Sequence, residues 1–338
     1  MKGTRNKTLL GRLKGRPEIP VLCATLGLSL IFTLFSQNFL SSYNIYNVSR
    51  TAALYVFVAL SQTMVMLVGG MNVSLGYIGA LAVVAVGHSL QNWGWSTGPA
   101  VLFALVVGVL CGLVNGLVIT KLHINAFVST LATQFIFKGL VNGISEGFPY
   151  TEIPTGFTTL GRGNLFGLPY MLFLAAATLA AVWYLFRFTT LGRRLLATGG
   201  NEKAAKMAAV DTDRMQLIAN ILSGLFAAVA GICTVSMNGA AQPTTGQDWM
   251  IYSFAVSVIG GTALAGGVIC PIGIAIAAFL VVIIKNGLVM LNANIYFEQT
   301  YLGLILLGAV SIGSVSAMVS EVKRRRRFRR EQAAGEKK

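Results

Sequence analysis

The sequence predicts an all-α, polytopic membrane protein of about ten transmembrane helices with both termini cytoplasmic. Three observations carry that prediction. The chain is 55% hydrophobic and 11% charged, whereas soluble domains carry about 25% charged residues. Its apolar residues gather into stretches close to the roughly 20 residues that cross a bilayer as a helix. Its cations are clustered: six Lys/Arg precede Glu18, six lie from Arg187 to Arg214, nine follow from Lys323, and with Lys121 these make 22 of 26. An even number of crossings puts all of them on one side, as the positive-inside rule requires. The net charge of +15 is therefore topological and is reinforced by anionic membrane lipids. It calls for no nucleic acid partner.

In chain order the expected regions are a basic tail (1–18), a membrane domain (19–320) and a second basic tail (321–338). The expected spans are 19–36, 51–69, 73–89, 99–120, 126–143, 168–187, 216–237, 250–267, 270–291 and 301–320. The first follows a basic tail as a signal sequence does, but no small-x-small cleavage pattern comes after it, so it is read as uncleaved. Starting inside, six crossings bring 187–215 back inside, and ten return the C-terminus there. Trp93, Trp95 and Trp249 then fall at the outer interface and Trp183 near the inner one, where indole rings prefer to sit. The longest outward segment, 144–167, holds Pro149, Pro154 and several glycines and reads as a compact external element.

Glycine pairs interrupt the apolar pattern twice. Gly69 and Gly70 open the stretch GGMNVSLG, and Gly260, Gly261, Gly266 and Gly267 bracket GGTALAGG. Broken helices at membrane depth are tolerated where the backbone lines a cavity or is buried in protein, and small residues also let helices approach closely. Asn72 and Ser74 are placed to cap the following helix. Gln62, Asn72, Ser74 and Asn115 are the candidate polar contacts of a pathway through the membrane.

The absences narrow the chemistry. No G-x-x-x-x-G-K-[ST] phosphate loop occurs, so the chain is not expected to bind ATP by that route. His88 and His123 lie far apart, the four cysteines show no CxxC spacing, and no metal site is expected. All eleven acidic residues fall outside the expected spans. Ion-coupled carriers usually keep a carboxylate in the membrane, so energy is expected to come from elsewhere. The segment RFTTLGRRLLATGGNEKAAKMAAVDTDR, Arg187 to Arg214, is the one long polar island between spans. Within it Gly199-Gly200 is expected to break the chain, with Asn201 as N-cap and Glu202 in the first turn of a helix reaching Val210. Ala204, Ala205, Ala208 and Ala209 are expected to share one face of that helix. So short a helix needs something to dock on; the competing reading is a solvated loop whose charges only set topology.

From about residue 45 to 320 the chain resembles the membrane-spanning permease subunits of bacterial ATP-binding cassette importers of the ribose/simple-sugar type. The stretch TLGRRLLATGGNEKAAK, Thr190 to Lys206, carries the resemblance most specifically. GGMNVSLG, Asn125-Ala-Phe-Val-Ser-Thr-Leu and Ile259-Gly-Gly-Thr-Ala-Leu-Ala-Gly-Gly match further family elements. Asn72 stands where the family usually has Asp, Asn125 where it has Pro, and Ile269 where it has Gly. The resemblance implies an importer permease fold in the bacterial inner membrane and no enzymatic activity in this chain. It implies a second permease subunit, cytosolic ATPase subunits that carry ATP and Mg, a periplasmic binding protein and a small sugar as solute. Nucleosides, autoinducer-like furanoses or branched-chain amino acids are the alternative solutes, and an ion-coupled carrier is the alternative class. It further implies that Gly192, Arg193, Gly199, Gly200, Asn201, Glu202, Ala204 and Ala205 belong to the element that couples to the ATPase.

Overall fold

The computed structural model describes residues 18–291, 297, 299–301, 303 and 304. The chain divides into two compact units, 1–291 and 292–338. In the second, residues 299–301, 303 and 304 are helical. Both basic tails and most of the tenth expected span, 301–320, lie outside the described residues.

The first unit is helical apart from one small hairpin. Its elements are α1 (Glu18–Phe35), α2 (Ser42–Met66), α3 (Leu75–Gln91), α4 (Thr97–Lys121), α5 (Ala126–Ser145) and α6 (Thr155–Arg162). The hairpin β1 (Asn164–Leu165) and β2 (Leu168–Pro169) follows. Then come α7 (Tyr170–Phe188), α8 (Thr190–Gly200), α9 (Glu202–Met207), α10 (Thr212–Asn238), α11 (Trp249–Ile259) and α12 (Pro271–Met290). Among the described residues α1, α2, α4, α7, α10 and α12 are long and apolar enough to cross a membrane; α3 and α11 are apolar but shorter.

Each expected span up to 270–291 meets one of these helices, with two informative differences. α2 starts at Ser42 rather than 51, because the Ser41 side chain accepts a hydrogen bond from Asn44 N and caps an earlier turn. The span expected over 250–267 stops as a helix at Ile259. Gly261, Gly266 and Gly267 take φ of +90°, +91° and +76°, values open to glycine and incompatible with continued helix.

The bundle is built around α10, which packs against α4, α3 and α2. Lipid tails are as apolar as leucine, so helices in a membrane associate through close packing of small residues. α4 supplies Gly108, Gly112 and Gly116 four residues apart, on one face. A Cβ at Gly112 would collide with the Asn220 carbonyl of α10, and one at Gly108 would lie 2.6 Å from the Gly224 carbonyl. We expect Gly112→Leu to leave little monodisperse protein on gel filtration. Gly139→Leu on α5, where an added Cβ meets nothing within 4 Å, is expected to behave like the parent.

Candidate functional site

The polar island between α7 and α10 folds as two helices rather than one. Thr189 caps α8, accepting from Gly192 N at 3.1 Å. Gly192 is buried where α8 turns back on α7, and a Cβ there would collide with the Leu185 carbonyl. Arg193 is exposed. Contrary to the expectation that Gly199-Gly200 breaks the chain, α8 runs through both glycines and ends at Asn201. That residue is extended (φ −163°, ψ 102°), and its side chain accepts from Ala204 N at 3.0 Å to start α9. The helix expected to reach Val210 stops at Met207, since Ala209 turns left-handed at φ +58°. The four alanines do not share one face: Ala205 is buried, while Ala204, Ala208 and Ala209 are exposed. Glu202 pairs with Lys206 at 2.8 Å one turn on, and this hydrogen-bonded carboxylate holds the Lys206 ammonium above its ordinary range. Met207 is 91% exposed at the tip.

The two glycines at the end of α8 serve close approach rather than a turn. They meet both interruptions of the bundle at one point. Gly267 N donates to the Leu67 carbonyl at 2.9 Å, tying the α11–α12 break to the α2–α3 break. A Cβ at Gly199 would collide with that same Leu67 carbonyl and lie 2.7 Å from Gly267 N. A Cβ at Gly266 would lie 2.9 Å from Gly199 O and 3.0 Å from Gly69 N, and one at Gly267 would lie 2.8 Å from the Cα and N of Gly200. Three segments thus touch backbone to backbone. Gly260 adds a contact on the far side of its break: a Cβ there would lie 2.8 Å from Ile274 Cα. Gly70, which follows the turn at Gly69 (φ +77°), would press a Cβ to 2.8 Å from a Val65 methyl.

Gln62, Asn72, Ser74 and Asn115 are all fully buried at 0% exposure. Three of them form one chain of hydrogen bonds that joins the α2–α3 break to α10, α4 and α5. Asn72 Nδ2 donates to Ser223 Oγ of α10 at 2.9 Å, and Asn72 Oδ1 accepts from Ser74 N and Ser74 Oγ at 3.0 and 2.8 Å. Asn115 Nδ2 donates to Ser74 Oγ at 2.8 Å, and Thr133 Oγ1 of α5 donates to Asn115 Oδ1 at 2.7 Å. Asn72 and Ser74 therefore do not cap α3, as the sequence suggested; Ser74 holds the N-cap position without a side-chain cap bond, because its hydroxyl is spent on Asn72. Gln62 is the exception, with neither amide atom hydrogen-bonded. Asn72→Leu strands the buried Ser74 N–H, a loss of about 1–3 kcal/mol. Thermal unfolding should show a clear drop for Asn72→Leu and a smaller one for Asn72→Asp, which keeps the acceptors.

At the opposite end of the bundle the segment 144–167 is held by contacts with the end of α10 and the α10–α11 connection. Tyr150 and Ala241 exchange backbone hydrogen bonds at 3.0 and 2.8 Å. Ser236 Oγ donates to Phe157 O at 2.6 Å and accepts from Gly161 N at 2.8 Å, and Arg162 Nη2 donates to Asn238 O at 2.6 Å. These hydrogen bonds tie the segment 150–162 to the end of α10 and the residues that follow it. Among the described residues no group of three or more His, Cys, Asp or Glu side chains gathers to hold a metal.

Residues 44–315 match the family described as "Branched-chain amino acid transport system / permease component". The chain belongs to this permease family. The permease is 31% identical to the ribose import permease protein RbsC of Escherichia coli K12 over 295 residues, 86% of this chain and 92% of that protein. It is 33% identical to RbsC of Bacillus subtilis 168 over 285 residues, 84% of this chain and 88% of that one. It is also 32% identical to the autoinducer 2 import system permease protein LsrC of Yersinia pseudotuberculosis over 302 residues, 89% of this chain and 86% of that protein. With its apolar helices, the permease is a multi-pass inner-membrane protein. Sequence reasoning missed Leu67 and Met207. A carbonyl that serves as a contact point leaves no trace in residue type, and a lone methionine in a helix reads equally as core.

Proposed function

We propose that this chain is the membrane-spanning subunit of an ATP-binding cassette importer that carries a monosaccharide, ribose or a similar simple sugar, from periplasm to cytoplasm. The observation that carries the mechanism is the meeting of α8 with both helix breaks: a displacement of α8–α9 cannot leave Leu67–Gly70 and Gly266–Gly267 where they are. ATP and Mg reside on separate ATPase subunits that grip α8–α9. Their closure moves the pair as a rigid handle, and the packed breaks switch between two arrangements. The surface joining 144–167 to 238–248 receives a periplasmic binding protein. Gln62, Asn72, Ser74 and Asn115 become the weak polar contacts of the pathway when the α2–α3 break shifts, and the unsatisfied Gln62 amide, costly where it now sits, gains a partner there.

The topology that goes with this reading has ten crossings, both termini inside and a second permease subunit beside the first. Crossing parity assigns the 69–73, 121–126, 187–215 and 267–270 segments to the cytoplasm. Support comes from α8, which packs on the first and last of these, and from a cavity that the first two share with α9. Sugar as solute rests on the likeness to the ribose import permeases, and the likeness to LsrC keeps autoinducer 2 as the second candidate. Proteoliposomes holding the permease, its ATPase subunits and its binding protein are expected to take up labelled ribose only with internal or external ATP on the ATPase side. Uptake driven by a proton or sodium gradient without ATP overturns the proposal. Uptake of autoinducer 2 in preference to ribose keeps the mechanism and replaces the solute.

A further inference from the structure

A cavity of about 430 Å³ opens beside α9, between the Gly69–Gly70 break, the α4–α5 turn and the start of α10. Its polar lining includes His123, Glu202, Lys206, Asp213, Gln216 and Asn220. Asn220 is 2% exposed, and its Oδ1 has no hydrogen-bond partner, while its Nδ2 is committed to Gln216 O at 2.9 Å. Asn220 is one of the residues that line the cavity, and a small shift of its side chain would let the buried, unpartnered acceptor meet a donor there.

We propose that this cavity binds a neutral polyhydroxylated solute of about pentose size, on the side of the membrane to which the importer delivers its cargo; that sidedness rests on the orientation read above. The lining mixes donors (Lys206 Nζ, the Gln216 amide) with acceptors (Asp213, Glu202, Asn220 Oδ1). Hydroxyl groups both donate and accept, so a polyol matches such a mixture without bringing charge. A divalent cation is a poor match, since Lys206 already sits 2.8 Å from Glu202 and leaves Asp213 the one carboxylate to spare. A phosphate is a poor match because two carboxylates face the space. The volume falls within the range of small-molecule sites, and with no Trp, Tyr or Phe in the lining the binding is weak. A bound polyol bridges α9 to the Gly69–Gly70 break and restrains the handle, so delivered solute slows further import.

The test uses the assembled transporter in nanodiscs, without binding protein, with ribose as probe and saturation-transfer NMR as readout. Saturable ribose binding is expected, weakened at least tenfold by Asn220→Leu and by Gln216→Leu, with ATP hydrolysis falling severalfold as ribose rises. Gln216 is part-exposed and Asn220 is buried, so Gln216→Leu is the variant that keeps its fold if Asn220→Leu does not; gel filtration checks both. Absence of saturable binding, binding equal in wild type and both variants, or displacement of ribose by MgCl2 or inorganic phosphate overturns the proposal. Ribose that binds in this variant-sensitive way but is never imported leaves the cavity assignment standing and removes the sugar-import reading. Import without such binding does the reverse.

Discussion

Gly199→Val is expected to abolish ATP-driven uptake, by two orders of magnitude or to background, while the ATPase subunits still co-purify with the permease. At this position the first carbon of any side chain already collides with the Leu67 carbonyl and presses on Gly267 N. Both are backbone atoms that cannot rotate away. Overpacking in a close-packed interior costs about 1–3 kcal/mol where side chains can shift, and here the cost falls on three backbone segments at once. The Leu67 O–Gly267 N hydrogen bond between the breaks is the first contact to be forced open. α9 lies beyond Asn201 and keeps its own cap, so docking survives while its motion no longer reaches the breaks. Gly200→Ala is the internal control: it is the next residue of the same helix, and its added Cβ meets nothing within 4 Å. It should keep uptake within about twofold. Wild-type uptake by Gly199→Val would remove the joint from the mechanism. So would equal loss in both variants.

That pair of glycines also marks how far the sequence could be read. The bilayer imposes a length on every span, so the order of the helices up to α12 was visible in residue types alone. The segment 144–167 stood out by its Pro and Gly density, though neither the hairpin at its end nor its hydrogen bonds to Ser236 and Asn238 did. Asn201 was legible as a cap because capping is a local property of one side chain and two backbone amides. Gly199 and Gly200 were not, because glycine answers two different needs, a positive φ or close approach, and only the neighbour across the gap decides which. Gly266 and Gly267 meet both needs at once. Likewise Asn72 and Ser74 satisfied the local rule for a cap, yet Ser223 and Asn115, over forty residues away in sequence, draw them into a tertiary network. Position relative to partners distant along the chain, not residue type, separates these cases.

The second large effect is expected at Met207, where Met207→Asp should cut the amount of ATPase recovered with the permease at least tenfold. α9 spans only six residues, too few to persist in water without support. Its support is all on one side: Ala205 is buried, its carbonyl accepts from Val210 N at 3.0 Å, and Asn201 caps the first turn. The one large apolar side chain left outward on α9 is Met207, 91% exposed, near the small side chains of Ala204 and Ala208. A single flexible apolar knob flanked by methyl groups is the shape of an anchor for a cleft on another protein, and a few such anchors dominate binding energy. Aspartate removes the apolar contact and would carry an unpaired charge into the cleft. Ala204→Trp should weaken recovery as well, by overfilling the same contact. Ala205→Trp is expected to act differently, because it forces α9 off α8 and α10 and unfolds the handle before any partner is met; limited proteolysis within 199–212 should then accelerate in the permease alone. If Met207→Asp retains the ATPase in stoichiometric amount while proteolysis is unchanged, the partner grips another face of this segment, and the exposed arginines Arg193 and Arg194 of α8 become the surface to test.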